Sequence, residues 1–219
     1  MELLKWNNID NLSTEEISYL LFLEGKDVGT IAGIRGLSRN HIEKHIIHSK
    51  IKYKIYKKGR DERNILNLLM DCPKDERVLI ISKINKEEIT RLESYIINNI
   101  FKANQKECAF YIWFLGEIKS PRGIDRIITF LKCSDAAIKR MCCSAIGKIG
   151  SIKAEDALIS TLDEKRSQVK EYAIKALGNI NSKKAIPYLI LIKDSKDKEY
   201  VRIAAVKALE KIDSGVSYE

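Results

Sequence analysis

Proline and glycine are scarce in this 219-residue sequence, at 3 and 11 positions. Sheets and hairpins draw on those residues at their turns, so the shortage argues for helices. No apolar stretch approaches the roughly 20 residues needed to span a membrane. The longest uncharged apolar run is about Cys108 to Gly116. The start, Met1-Glu2-Leu3-Leu4-Lys5-Trp6-Asn7, lacks a basic segment followed by an apolar one, so no secretory signal is expected. The five cysteines (Cys72, Cys108, Cys133, Cys142 and Cys143) are odd in number and contain no C-x-x-C pair. They are expected to be reduced, buried thiols in a cytoplasmic protein. Histidine is confined to His41, His45 and His48, and three ligands from one helix suit a tetrahedral metal poorly. The motifs G-x-x-x-x-G-K-[ST], G-x-G-x-x-G and G-x-S-x-G are all missing. The chain is therefore expected to be no enzyme and to need no metal and no cofactor.

What is present is charge, and it is unevenly placed. With 45% hydrophobic and 32% charged residues the chain has enough apolar surface to fold. Its net charge is +9. Residues 1–34 carry two bases and six acids, and residues 61–219 carry 28 bases and 23 acids. Between Arg35 and Arg60 nine bases face one acid, Glu43, for a net +8 in 26 residues. The excess is local, and it marks one candidate surface for a polyanion.

The second half repeats itself. Leu115, Ile146, Leu177 and Leu209 recur at spacings of 31, 31 and 32, inside Phe114-Leu115-Gly116-Glu117-Ile118, Ala145-Ile146-Gly147-Lys148-Ile149, Ala176-Leu177-Gly178-Asn179-Ile180 and Ala208-Leu209-Glu210-Lys211-Ile212. Ile138, Val169 and Val201 keep the same step, each followed by a base (Lys139, Lys170, Arg202). Ile127, Leu158 and Leu189 form a further column. Each unit reads as two short helices, the second Ala-rich and ending at a glycine. One such pair cannot bury both its faces, so the units are expected to stack into an α-solenoid. The pattern V-[KR]-x-x-A-x-x-A-[LI]-G over about residues 86–213 resembles the short HEAT-like repeats also seen in phycobilisome lyases. That resemblance implies a binding scaffold.

The first half carries a different pattern. In Ile31-Ala32-Gly33-Ile34-Arg35-Gly36-Leu37-Ser38-Arg39-Asn40-His41-Ile42-Glu43-Lys44-His45-Ile46, Ala32 supplies a small residue for a helix crossing and Gly36 a positive-φ turn. Ile31, Leu37, Ile42 and Ile46 are the expected seam, and Ser38 the expected cap of the second helix. An earlier helix starts at Ser13 with capping-box spacing. The arrangement resembles the helix-turn-helix at the C-terminus of RecQ-type helicases, although Arg35 stands where an apolar residue is usual. A plain helical hairpin for protein contact is the alternative. If the second helix enters a major groove, Arg39, Asn40, His41 and Lys44 face bases, and Thr30 and Ser38 face phosphates. Lys50, Lys52, Lys54, Lys57 and Lys58 would then form an extended or helical arm on the DNA backbone.

The expected architecture is thus all-α. A helix-turn-helix domain (1–60) precedes two connecting helices (61–85), HEAT-like repeats (86–213) and a tail (214–219). The leading functional expectation is a protein that docks on duplex DNA and holds a protein partner on its solenoid. The alternatives are a protein-interaction scaffold that never touches nucleic acid and a HEAT-repeat DNA glycosylase. For the last, Ser144, Lys175 and Lys207 and then Lys148, Asn179 and Lys211 form polar columns, but Glu117, Glu171 and Glu210 interrupt them.

Overall fold

The computed structural model describes residues 4–58, 61–82 and 84–214, with the side chains of 51, 52 and 54–58 outside the description. Regular structure among the described residues is helical throughout, in agreement with the all-α expectation. The chain divides into two compact units, Met1–Glu88 and Ile89–Glu219.

In the N-terminal unit, α1 (Thr14–Leu23) opens on the expected capping box. The Ser13 hydroxyl accepts the Glu16 N–H, and the Glu16 carboxylate accepts the Ser13 N–H at 2.7 Å. Helix α2 (Val28–Arg35) is capped by Asp27, whose carboxylate accepts the Gly29 and Thr30 N–H groups. It stops at Gly36, which has φ +62, and Leu37 N–H returns to the Ala32 carbonyl. A side chain at that φ costs on the order of 1 kcal/mol, which glycine avoids. Helix α3 (Arg39–Lys58) begins where Ser38 Oγ accepts the His41 N–H. Ile31, Ile42 and Ile46 are buried with Tyr19, Leu20 and Leu21, and Leu37 and Ala32 pack against them half-buried. Helices α4 (Glu62–Asp71) and α5 (Lys74–Ile81) pack on α3. The Arg77 guanidinium ties α5 to the end of α4 by donating to the Met70 and Cys72 carbonyls, each at 2.8 Å.

Gly33 has a different status from Gly36. It lies inside α2, and a Cβ built there meets nothing within 4 Å. Gly33→Ala is expected to stabilise the N-terminal unit by about 0.5–1 kcal/mol through helix propensity and a stiffer unfolded chain. Urea unfolding measures it, and a loss of stability would refute the open placement of this face.

The C-terminal unit is a row of paired helices. After α6 (Lys86–Asn99), the helices α7 (Gln105–Glu117), α9 (Ala136–Ile149), α11 (Ser167–Asn179) and α13 (Glu199–Ser214) pack each on the next. The shorter α8 (Ile124–Phe130), α10 (Glu155–Thr161) and α12 (Ile186–Lys193) pack against the second helix of their own pair. Ile127, Leu158 and Leu189 fill the space between the two helices of each pair with zero exposure.

The repeated glycine corrects one expectation. Gly116, Gly147 and Gly178 do not end their helices; they lie inside α7, α9 and α11. A Cβ on Gly116 would stand 2.8 Å from Ala145 Cα, and one on Gly178 would stand 3.0 Å from Ala208 Cα. On Gly147 it would stand 3.3 Å from Ala176 Cα. Each glycine therefore admits the alanine of the following helix almost to backbone contact. The left-handed turn comes three residues later, at Lys119 (φ 50), Gly150 (φ 74) and Asn181 (φ 55). The Ser120 N–H returns to the Leu115 carbonyl, and the Ser182 N–H to that of Leu177, which closes the helix end in the manner of a Schellman motif.

Two further columns bind neighbouring repeats. Buried Ser120 donates to Glu93, and buried Ser182 donates to Glu155 at 2.7 Å. Between them Ser151 makes no side-chain cap, and the position matching Glu93 and Glu155 is the apolar Ile124. Lys139 reaches Glu164 at 2.6 Å and Lys170 reaches Asp197 at 2.5 Å, each an acid in the loop before the next long helix. Pro187 sits in the first turn of α12, behind a turn capped by Ser182.

Candidate functional site

The start of α3 exposes Arg39, Asn40, His41 and Lys44 on one stretch of helix. The side chains around it are more committed than the sequence suggests. Thr30, expected at a phosphate, donates its hydroxyl to Asp27 Oδ2 at 2.5 Å. Hydrogen bonds from Thr30 and from backbone N–H groups hold the Asp27 carboxyl below its ordinary pKa. This end of α2 presents an anion, and a phosphate there meets repulsion instead of a donor. Ser38 is engaged as the α3 cap and lies 2.8 Å from His41 Nδ1. The Arg39 guanidinium folds back over α2, so that a Cβ on Gly29 would meet Nη2 at 2.9 Å.

The basic arm is the helical continuation of α3. Lys50, expected on a DNA backbone, is half-buried with Nζ 5.9 Å from the centre of the Phe22 ring. Tyr53 turns inward, where its hydroxyl donates to buried Glu16 and its ring stacks on Tyr19 at 6.1 Å. Lys52, Lys54, Lys57 and Lys58 have side chains outside the described residues. Arg35, the departure from the helicase-like pattern, donates to Thr14 Oγ1 at 2.6 Å and so ties α2 to α1. Its charge serves the packing of that unit.

His45 sits among these contacts. Its Nδ1 lies 3.0 Å from the Ser18 hydroxyl, which is fully buried. Burial lowers its pKa first, and Arg35, His41 and His48 add to that, against an opposing pull from Glu15. The folded chain thus binds fewer protons than the unfolded chain just below the ordinary value of 6.5. Its contribution is present in full above that value and is lost as the pH falls through it. Thermal unfolding of the wild type is expected to move to lower temperature between neutral pH and the region below 6.5, and His45→Gln is expected to flatten that slope. Equal slopes in both proteins would exclude His45 as the source.

On the repeat unit, the columns proposed as a cationic track are neutralised internally. Lys148 pairs with Glu117, Lys175 pairs with Glu171 at 2.6 Å, and Lys211 donates to Asn179 at 2.7 Å. The thiols are core atoms. Cys142 and Cys143 are fully buried, and burial raises Cys142 and pushes Cys143 up to about 12. Cys108 is pushed to about 11 for the same first reason. Thiols held this far above neutrality stay protonated and are poor nucleophiles. Among the described residues no group of three or more His, Cys, Asp or Glu is placed to hold a metal ion, and no helix is long and apolar enough to cross a membrane.

A cleft of about 280 Å³ opens where α9, α11 and α13 begin, lined by Arg140, Arg166, Lys198 and Tyr200 together with Ala136 and Val169. Sequence reasoning missed it. Arg166 and Lys198 precede successive long helices at a spacing of 32, which was the available signal, but Arg140 joins them only through the stacking of α9 on α11.

These features define an α-helical repeat protein, with an array of paired helices in its C-terminal unit. Residues 155–218 match the family model described as HEAT repeats, so the unit is a HEAT-like helical repeat domain. Two solved structures share the fold. One is the crystal structure of an engineered protein, a Northeast Structural Genomics Consortium target, with a TM-score of 0.52 at 19% identity, covering 93% of this chain and 98% of that one. The other is a second engineered protein from the same consortium, with a TM-score of 0.51 at 20% identity. It covers 94% of this chain, which spans 62% of that protein. No curated protein matches the chain. The helicase-like helix-turn-helix finds no counterpart in these comparisons.

Proposed function

We propose that this chain is a non-enzymatic protein-interaction scaffold whose HEAT-like repeats hold a partner protein. The supporting observation is the HEAT-repeat match on a row of helices whose packing is complete and whose exposed columns carry self-neutralised polar pairs. Such a surface offers a shaped, mixed-polarity contact area and little for a highly charged polymer. The test is photo-crosslinking of the full chain in its native cell, with a reactive group placed in turn at Lys175, Lys207 and Lys184. Discrete protein adducts at Lys175 or Lys207, on α11 and α13, are expected. Adducts at none of the three positions would refute the reading.

A second reading places duplex DNA on the N-terminal unit. One observation favours it, the exposure of Asn40, His41 and Lys44 after a left-handed Gly36 turn. The comparisons lend it no support. It requires that affinity for a duplex fall linearly with log salt. It also requires Arg39→Ala to cost about 1–3 kcal/mol and relax base preference, while Lys54→Ala weakens all sequences alike. A titration without binding at low salt would remove it.

A further inference from the structure

We propose that the cleft at the beginnings of α9, α11 and α13 is a binding site for an acidic peptide segment of the partner protein, with Arg140, Arg166 and Lys198 receiving its carboxylates. This rests on the scaffold reading and names the chemistry of what the scaffold holds.

The charge distribution singles this place out. Elsewhere on the repeats, lysines face acids: Lys139 with Glu164, Lys148 with Glu117, Lys170 with Asp197 and Lys175 with Glu171. The cleft has three cations and no acid among its lining residues. Arg140 donates to a neutral group, Gln168 Oε1, at 3.1 Å, and Arg166 donates to the Ser134 carbonyl at 3.2 Å. The acids behind Arg166 are already engaged. Asp135 accepts the Ala137 and Ile138 N–H groups, and Glu164, 3.9 Å from Arg166, accepts Lys139 at 2.6 Å. Each arginine keeps further N–H donors in a planar fork that matches a carboxylate.

Size and wall decide between peptide and nucleic acid. About 280 Å³ takes one or two side chains. The neighbouring columns are internally paired, so no cationic path continues from the cleft along which a phosphate backbone could run. Tyr200, Ala136 and Val169 give an apolar wall beside the cations, which suits an acidic residue flanked by an apolar or aromatic one.

The experiment is fluorescence anisotropy on the full chain with a labelled hexaglutamate peptide, and a short DNA duplex as competitor. The pocket variant is Arg140→Ala/Arg166→Ala/Lys198→Ala. The comparator is Lys153→Ala/Lys184→Ala/Lys193→Ala, which removes the same net charge from exposed lysines facing Asp125, Asp156 and Asp194. The pocket variant is expected to bind at least about tenfold more weakly, and the comparator within about twofold of wild type. Arg140→Lys/Arg166→Lys, which keeps the charge and loses the fork, is expected to fall between them. Equal loss in both triple variants would reduce the effect to net charge and overturn the site, as would absence of binding to the wild type or displacement by duplex at equal charge concentration. Circular dichroism of each variant checks that the helices are retained. The crosslinking assay separates this inference from the scaffold reading. A pocket variant that captures the wild-type partners undiminished overturns the cleft and leaves the scaffold standing.

Discussion

Phe114→Ala is expected to destabilise the repeat unit by about 3–5 kcal/mol, the cost of removing a fully buried phenyl ring and leaving a cavity. Phe114 has zero exposure and lies 6.2 Å from the Phe110 ring. Its column explains why the site does not collapse around a smaller residue. At the matching positions α9, α11 and α13 carry Ala145, Ala176 and Ala208, and each approaches the glycine of the long helix before it. Helix α7 has no long second helix before it in the row, so the space that a close backbone occupies elsewhere is filled here by the ring. Urea unfolding with equal slopes for wild type and variant would give the loss directly. A loss under about 1 kcal/mol would mean that α7 is packed differently. Leu191→Ala, at 71% exposure, is expected to change little.

The second large effect reverses the usual consequence of filling a helical glycine. Gly116→Ala would gain about 1 kcal/mol in helix propensity at an open site. Here the new Cβ would stand 2.8 Å from Ala145 Cα and 2.9 Å from its Cβ. The first of these is backbone and cannot rotate aside, so α7 and α9 must part. Overpacking of this kind costs typically about 1–3 kcal/mol, which outweighs the propensity gain and makes the substitution destabilising. Gly116→Leu is expected to lie at or beyond the top of that range. The pairing is open to a double-mutant cycle: Ala145→Gly in the Gly116→Ala background restores the missing space and is expected to recover part of the loss, with a coupling of at least 0.5 kcal/mol. Additive effects would show that the two helices do not meet at this pair. Gly33→Ala, with nothing within 4 Å, is the same chemical change with the opposite expected sign.

Both results turn on a feature that the sequence displayed and that sequence reasoning misassigned. The 31-residue step was legible because apolar columns recur wherever a helix must bury the same face against the same neighbour. The glycine of that step was read as a helix end, since helix ends are where glycine is commonest. The need for it arises from the neighbouring helix, at a distance that no local pattern encodes. The left-handed positions were hidden for a related reason, since Lys119 and Asn181 share a column with Gly150 and no residue type unites them. In the N-terminal unit the caps at Ser13 and Ser38 and the turn at Gly36 were legible because each is a local hydrogen bond or dihedral. The candidate phosphate and backbone contacts were not. Whether Thr30 offers its hydroxyl outward depends on Asp27, and the position of Lys50 depends on Phe22 of another helix.

The glycine–alanine contacts also set the order in which the chain folds. They join helices about 30 residues apart in sequence, so loops close cheaply and a first pair can form without the rest. Growth then proceeds by adding one helix pair to an existing face, and each pair gains from the neighbours already in place. Helices α9 and α11 have a long neighbour on both sides, whereas α13 has one. At its free side Glu210 stands in the glycine column, and Val206, whose counterparts Cys143 and Ile174 are fully buried, is 37% exposed. Unravelling is therefore expected to start at α13 and travel inward. Amide exchange under native conditions would record this as protection lowest in α13 and highest in α9 and α11.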